Sequence, residues 1–219
     1  MKIKTLGVAA ALFACSTGAS AATYGFTCIT SGLPCTTVGT TDQTRVDVTQ
    51  FGSQAQFLFT NVGSINTGIS SIFFDSDQLA YGSPTIVNGP VGVSFAVGSN
   101  PSNLPAGNTL SPPFVSDFAV SANNPAPQNA VDRNETLIVR LSFASGVTLQ
   151  TLEAGILSGA TRIGLNMTSV GGELVNDRAI TTFPPNPDVT QIPVPAALPL
   201  MLAGLVGMGL VSRRRRSRK

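Results

Sequence analysis

The sequence predicts an all-β domain, an antiparallel two-sheet sandwich with one short helix, framed by an N-terminal signal peptide and a C-terminal transmembrane helix. Three observations predict it. Between residues 22 and 182 apolar side chains recur with period two in short runs separated by Gly, Pro, Asn and Ser, the pattern of half-buried strands. β-Branched and phenylalanine residues fill those runs, as a pleated, half-buried surface favours. Only the two ends carry continuous apolar stretches beside basic clusters.

In chain order, strands are expected at residues 45–51, 54–60, 69–75, 91–97, 114–121, 135–143 and 161–169. In the last, Ile163, Leu165 and Met167 share one face while Arg162, Gly164, Asn166 and Thr168 share the other, so one side is read as core and the other as water-facing. Residues 148–157 break the pattern: Leu149, Leu152 and Ile156 recur near i, i+3 and i+7, the stripe of a short amphipathic helix. About seven short strands with loop-rich connections favour a sandwich over a barrel. The tracts 98–113 and 122–134 contain Pro101, Pro105, Pro112, Pro113, Pro125 and Pro127 and read as long loops.

Charge separates the ends from the middle. Eight of the thirteen basic residues lie in segments 1–21 and 192–219, whereas all eleven acidic residues lie between them. Five arginines against eleven acids leave residues 22–191 a net charge of −6, which argues against a nucleic-acid partner. Charged residues are 11% of the chain, against about 25% in ordinary soluble domains. The chain has no histidine, so Ser-His-Asp and Cys-His catalysis and histidine-ligated metals are excluded.

Residues 1–21 have the layout of a secretory signal. Lys2 and Lys4 precede an apolar run over 6–14, and Ala19-Ser20-Ala21 supplies small residues for cleavage before Ala22. The run is too short to cross a bilayer, which needs about 20 residues. Leu12-Phe13-Ala14-Cys15 approximates a lipoprotein box, but Phe13 departs from the small or β-branched residue expected there.

At the other end, residues 196–211 are sixteen uncharged residues followed by SRRRRSRK. A helix over them would reach about 24 Å, enough for a marginal membrane anchor. Arg213, Arg214, Arg215 and Arg216 would stay cytoplasmic and leave the domain outside. Upstream, residues 183–191 form a proline-rich, stiff spacer. Pro193 and Pro195 lack a backbone N–H and keep the chain before the apolar stretch extended.

The order Ile192-Pro193-Val194-Pro195-Ala196, apolar stretch, terminal arginine cluster resembles the VPLPA variety of the PEP-CTERM sorting signal. Pro193, Pro195 and Ala196 match; Ile192 and Val194 are conservative departures, and no glutamate stands between the prolines. The resemblance covers about 28 residues and implies an exosortase-like processing enzyme as partner, in a Gram-negative bacterium that makes extracellular polysaccharide. Within the middle, Asn61 and Gly63 followed by Ile72-Phe73-Phe74-Asp75, and later Ile163-Gly164-Leu165, look like exported β-rich domains that precede such tails. That likeness brings no activity with it.

Cys28 and Cys35 are the only cysteines left after signal removal, and an even pair in an exported chain is most simply a disulfide. By loop entropy an eight-residue ring stabilises by roughly 2.5 kcal/mol. Asp75 and Asp77 are weak candidates for calcium oxygens, without the remaining ligands of an EF-hand loop. Glu135, Glu153 and Glu173 are the only glutamates, and nothing in their spacing sets two of them face to face as a glycosidase requires. Asn134-Glu135-Thr136 and Asn166-Met167-Thr168 match a glycosylation acceptor pattern that carries no weight in a bacterial export context. The expectation is a non-enzymatic protein of the cell surface or extracellular matrix, without cofactor, bound to the inner membrane before processing and in contact with extracellular polysaccharide. A carbohydrate- or calcium-dependent binding module, with ligand in the 98–113 loop, is the alternative, and a matrix glycoside hydrolase the third reading.

Overall fold

A computed structural model describes residues 21–29, 43–62, 66–98, 102–169 and 177–181. They form two antiparallel sheets. The first has five strands in the order β1-β3-β4-β9-β6, with β1 at Ala22–Tyr24, β3 at Thr44–Phe51, β4 at Gln54–Asn61, β6 at Leu79–Val87 and β9 at Glu135–Phe143. The second has six in the order β2-β11-β10-β5-β8-β7, with β2 at Phe26–Cys28, β5 at Thr67–Ser76, β7 at Phe95–Val97, β8 at Phe118–Ala122, β10 at Thr161–Ser169 and β11 at Asp177–Thr181. A single helical turn, α1 (Ala126–Asn129), and a longer helix, α2 (Leu149–Ser158), complete it. The two-sheet, mostly antiparallel architecture expected from the period-two pattern is the one found.

Alternation explains the core. Val46, Val48, Phe57, Phe59, Leu137 and Val139 project inward from the five-stranded sheet and are fully buried. Ile72, Phe74, Ile163 and Leu165 meet them from the other sheet, also fully buried. Phe74 stitches the layers: its ring lies edge-on to Phe57 at 5.1 Å and to Phe59 at 6.3 Å, a geometry favoured by the aromatic quadrupole. Of the eleven phenylalanines between residues 22 and 191, Phe26, Phe57, Phe59, Phe73, Phe74, Phe95, Phe114 and Phe118 are buried, which leaves few for binding.

Helix α2 follows the stripe read from the sequence. Leu149, Leu152 and Ile156 are buried in the core cluster. Thr148 caps the helix, accepting from the Thr151 N–H while Thr151 Oγ1 accepts from the Thr148 N–H, and Gly159 ends it in the left-handed region at φ 85°, a conformation favoured by glycine.

Three expectations need correction. The strands expected at 91–97 and 114–121 are shorter than expected: only Phe95–Val97 and Phe118–Ala122 pair. Strand β6, which contains Gly82 and Pro84, falls where no strand was expected. It lies at the edge of its sheet, and its register against β9 shifts between Ala80 and Thr85, so Pro84 sits where no ladder donor is required.

The third correction concerns the outer face of β10, read as water-facing. Phe73, Leu104, Phe114 and Ala119 form a second apolar cluster there, and a Cβ on Gly164 would stand 2.7 Å from Leu104. Leu104 and Leu110, from the tract read as a long loop, and Phe114, expected in a strand, cover the sheet. Among the described residues no helix is long and apolar enough to cross a membrane; the expected span at 196–211 and all of the expected signal at 1–21 except Ala21 lie outside them.

Candidate functional site

The residues expected to direct sorting fall on both sides of the described boundary. Ala19, Ile192, Pro193, Val194, Pro195, Ala196 and Arg213 to Arg216 lie outside it. Ala21 is exposed, whereas Ala22, the expected first residue after cleavage, is the first residue of β1 and pairs with Val48. Cys28 ends β2 opposite Ala179 of β11; its expected partner Cys35 lies outside the described residues.

Of the weak calcium candidates, Asp75 is committed elsewhere. Its Oδ2 accepts from Arg162 Nη2 and from the Val115 N–H at 3.0 Å, in a pair whose side chains are 13% and 20% exposed. Arg162 also donates to the Pro112 carbonyl at 2.7 Å and the Pro113 carbonyl at 2.6 Å, and its guanidinium lies 5.3 Å from the Phe114 ring centre. This pair fastens the covering tract to the sheet. Asp77 is exposed on the β5–β6 turn.

The carboxylates considered for hydrolysis stand on separate elements. Glu135 opens β9, Glu153 lies on α2, and Glu173 is outside the described residues. Glu153 Oε1 is buried without a hydrogen-bond partner, and burial holds its carboxyl above the ordinary range. The Tyr24 hydroxyl is likewise buried without a partner; burial, then the nearby Glu153 charge, pushes its ionisation well above the usual phenol value. Among the described residues, no three or more His, Cys, Asp or Glu side chains are grouped to hold a metal.

The loop expected to carry a ligand borders an open depression at the edge of the six-stranded sheet, lined by Val97, Ser102, Ser116, Asp117 and Phe118. Asp117 is anchored there: its Oδ2 accepts from the Ser76 N–H at 2.9 Å.

A polar cluster that sequence reading missed closes the end of the sandwich where β4 stops and β5 starts. Val131 pairs with Ile69 of β5 in an isolated bridge, after which the chain crosses to β9 through the turn 132–135, closed by the Glu135 N–H on the Asp132 carbonyl at 3.0 Å. Asn134 occupies the left-handed region at φ 66°, which asparagine tolerates better than most residues. The Asp132 N–H donates to Glu135 Oε2 at 2.8 Å. Asn61, the last residue of β4, is fully buried and donates from Nδ2 to the Thr67 carbonyl and, at 3.1 Å, to the Val131 carbonyl. Asn61 Oδ1 and Asp132 Oδ1 are buried and without partners. Burial, then the Glu135 charge, pushes the Asp132 carboxyl up to about 6. Residues 61, 132 and 135 share no local motif, so only the fold reveals the cluster.

No protein family profile, curated protein or solved structure matches the chain.

Proposed function

We propose that the protein is exported across the inner membrane, held there by its C-terminal helix, processed by an exosortase-like enzyme and delivered to the cell surface or extracellular matrix. Its β-sandwich then serves a structural or adhesive role within envelope or biofilm polysaccharide, without turnover and without a catalytic cofactor. The observation that carries this reading is the order of the tail: Pro193 and Pro195, the uncharged stretch 196–211, then the terminal arginines, at the opposite terminus from a signal layout. Strand β1 beginning at Ala22 supports it, because cleavage before that residue removes no part of the sandwich. The scarcity of charge supports a role in which Ser, Thr, Asn and Gln face a hydrated polymer.

Replacing Arg213 to Arg216 with glutamine in the producing cell tests this reading. Loss of the cytoplasmic stop should misorient the tail and abolish processing, seen as a shift of the protein between membrane and extracellular fractions. Unchanged retention and processing would contradict it.

The binding-module reading keeps one observation in its favour, the open depression beside Ser102, Ser116 and Asp117. A glycan array probed with the exported protein separates the two: a saturable signal on one glycan class favours the module.

A further inference from the structure

We propose that Asn61, Asp132 and Glu135 bind a calcium ion at the end of the sandwich where β4 and β5 meet. The inference is independent of the sorting reading. It also departs from the sequence expectation, which placed the only calcium candidates at Asp75 and Asp77.

Three strands of argument converge on these residues. The first is the orientation of Asn61. Its Nδ2 donates to the Thr67 and Val131 carbonyls, which identifies the other amide atom as the oxygen. That oxygen belongs to a fully buried side chain and accepts from nothing. Native proteins leave few buried acceptors in this state.

The second is the way the 131–135 segment encloses that amide. Val131 holds it through its carbonyl, the Asn134 N–H donates to the Asn61 carbonyl at 2.6 Å, and Glu135 is the cross-strand partner of Asn61 in the β4–β9 ladder. The turn therefore brings Asp132 and Glu135 beside Asn61 at the end of the β4–β9 ladder.

The third is the donor set. Asp132 Oδ1 is, like Asn61 Oδ1, buried without a partner. Glu135 is held to the same turn by Oε2 on the Asp132 N–H, and its Oε1 would lie 3.3 Å from a Cβ built on Gly92. The available atoms are oxygens: one carboxamide and two carboxylates. Calcium takes six to eight such ligands in irregular geometry and completes its shell with carbonyls and water, whereas magnesium demands near-ideal octahedral geometry and dehydrates reluctantly. Glycine at position 92, at φ 119°, leaves the space beside Glu135 open.

Calorimetric and thermal-melting titration of the full-length protein in detergent, stripped with EGTA and then given CaCl2 or MgCl2, tests the proposal. Calcium should raise the melting temperature at concentrations up to about 10 mM, the range of extracellular sites, with a smaller response to magnesium. Asp132→Asn and Glu135→Gln should each weaken calcium binding about tenfold or more. In EGTA, Asp132→Asn should melt at or above the wild-type temperature, because it removes a carboxylate charge whose Oδ1 is buried without a donor while keeping the shape. An unchanged wild-type melting curve between EGTA and about 10 mM CaCl2 overturns the proposal. So does an equal calcium response in wild type and both variants, which would assign Asn61 Oδ1 and Asp132 Oδ1 to a buried water. Should one variant fail to fold, the other and the wild-type titration still decide.

Discussion

The two ends of β5 are closed by opposite chemistry. At the Ser76 end, polar groups satisfy one another: Ser76 Oγ and Thr161 Oγ1 are 2.6 Å apart, Thr161 donates to Gln78 Oε1 at 2.8 Å, and Gln78 Nε2 donates to the Thr151 carbonyl of α2 at 3.1 Å. Tyr81 adds its hydroxyl to the Ser76 carbonyl at 2.8 Å and stacks on Phe118. At the Thr67 end, Asn61 Oδ1 and Asp132 Oδ1 are buried without donors. A satisfied network fastens structure, whereas orphaned acceptors at a domain end mark a place that an added ligand completes. The difference lies in satisfaction rather than in charge: Asp75 and Asp117 at the Ser76 end accept from Arg162 and from the Ser76 N–H, whereas Asp132 Oδ1 has no donor.

The largest effect expected at the Ser76 end comes from Leu152→Ala, which removes a fully buried side chain of α2. It should cost about 3 kcal/mol by the large-to-small series, read as a lower denaturant midpoint, and should leave any calcium response of the Thr67 end intact.

Gly155→Ala sharpens the comparison. A Cβ there would stand 2.0 Å from Gln78 Oε1, so Gln78 must swing away from both Thr161 and the Thr151 carbonyl. The loss should be about 1–2 kcal/mol. A neutral result by chemical denaturation would show that the Gln78 network is not what fastens α2.

The smallest effect concerns the exception on the helix side, Glu153. Burial raises its folded-state pKa, so the neutral carboxyl is the one the folded state favours. Its penalty is absent below the ordinary carboxyl range near pH 4.3 and grows as pH rises toward the folded value. Glu153→Gln should therefore raise the melting temperature by about 1–2 °C at pH 7 and leave it unchanged at pH 3.5. Equal shifts at both pH values would contradict a titrating cause.

Much of the sandwich was legible before any coordinates. Residues 135–143 and 161–169 were read with the bounds they have, because each alternates cleanly and ends at turn residues. Strand β6 was not legible, since Gly82 and Pro84 are breakers unless the strand is an edge with an irregular register. The short strands β1 and β2 escaped for lack of length, three residues being too few to show a period. The covering of β10 by Leu104 and Phe114 was hidden because prolines dominate the tract that supplies them. The Asn61 cluster was hidden for a different reason: residue 61 and the turn at 132–135 are neighbours only once β4 and β9 pair.

Intact mass spectrometry of the protein recovered from the extracellular fraction tests the account most directly. The account predicts a species that starts at Ala22 and has lost the arginine-rich terminus, with the tail cut near the Pro193 to Ala196 motif. A species that retains Lys219, or one that begins at a lipid-modified Cys15, would contradict it.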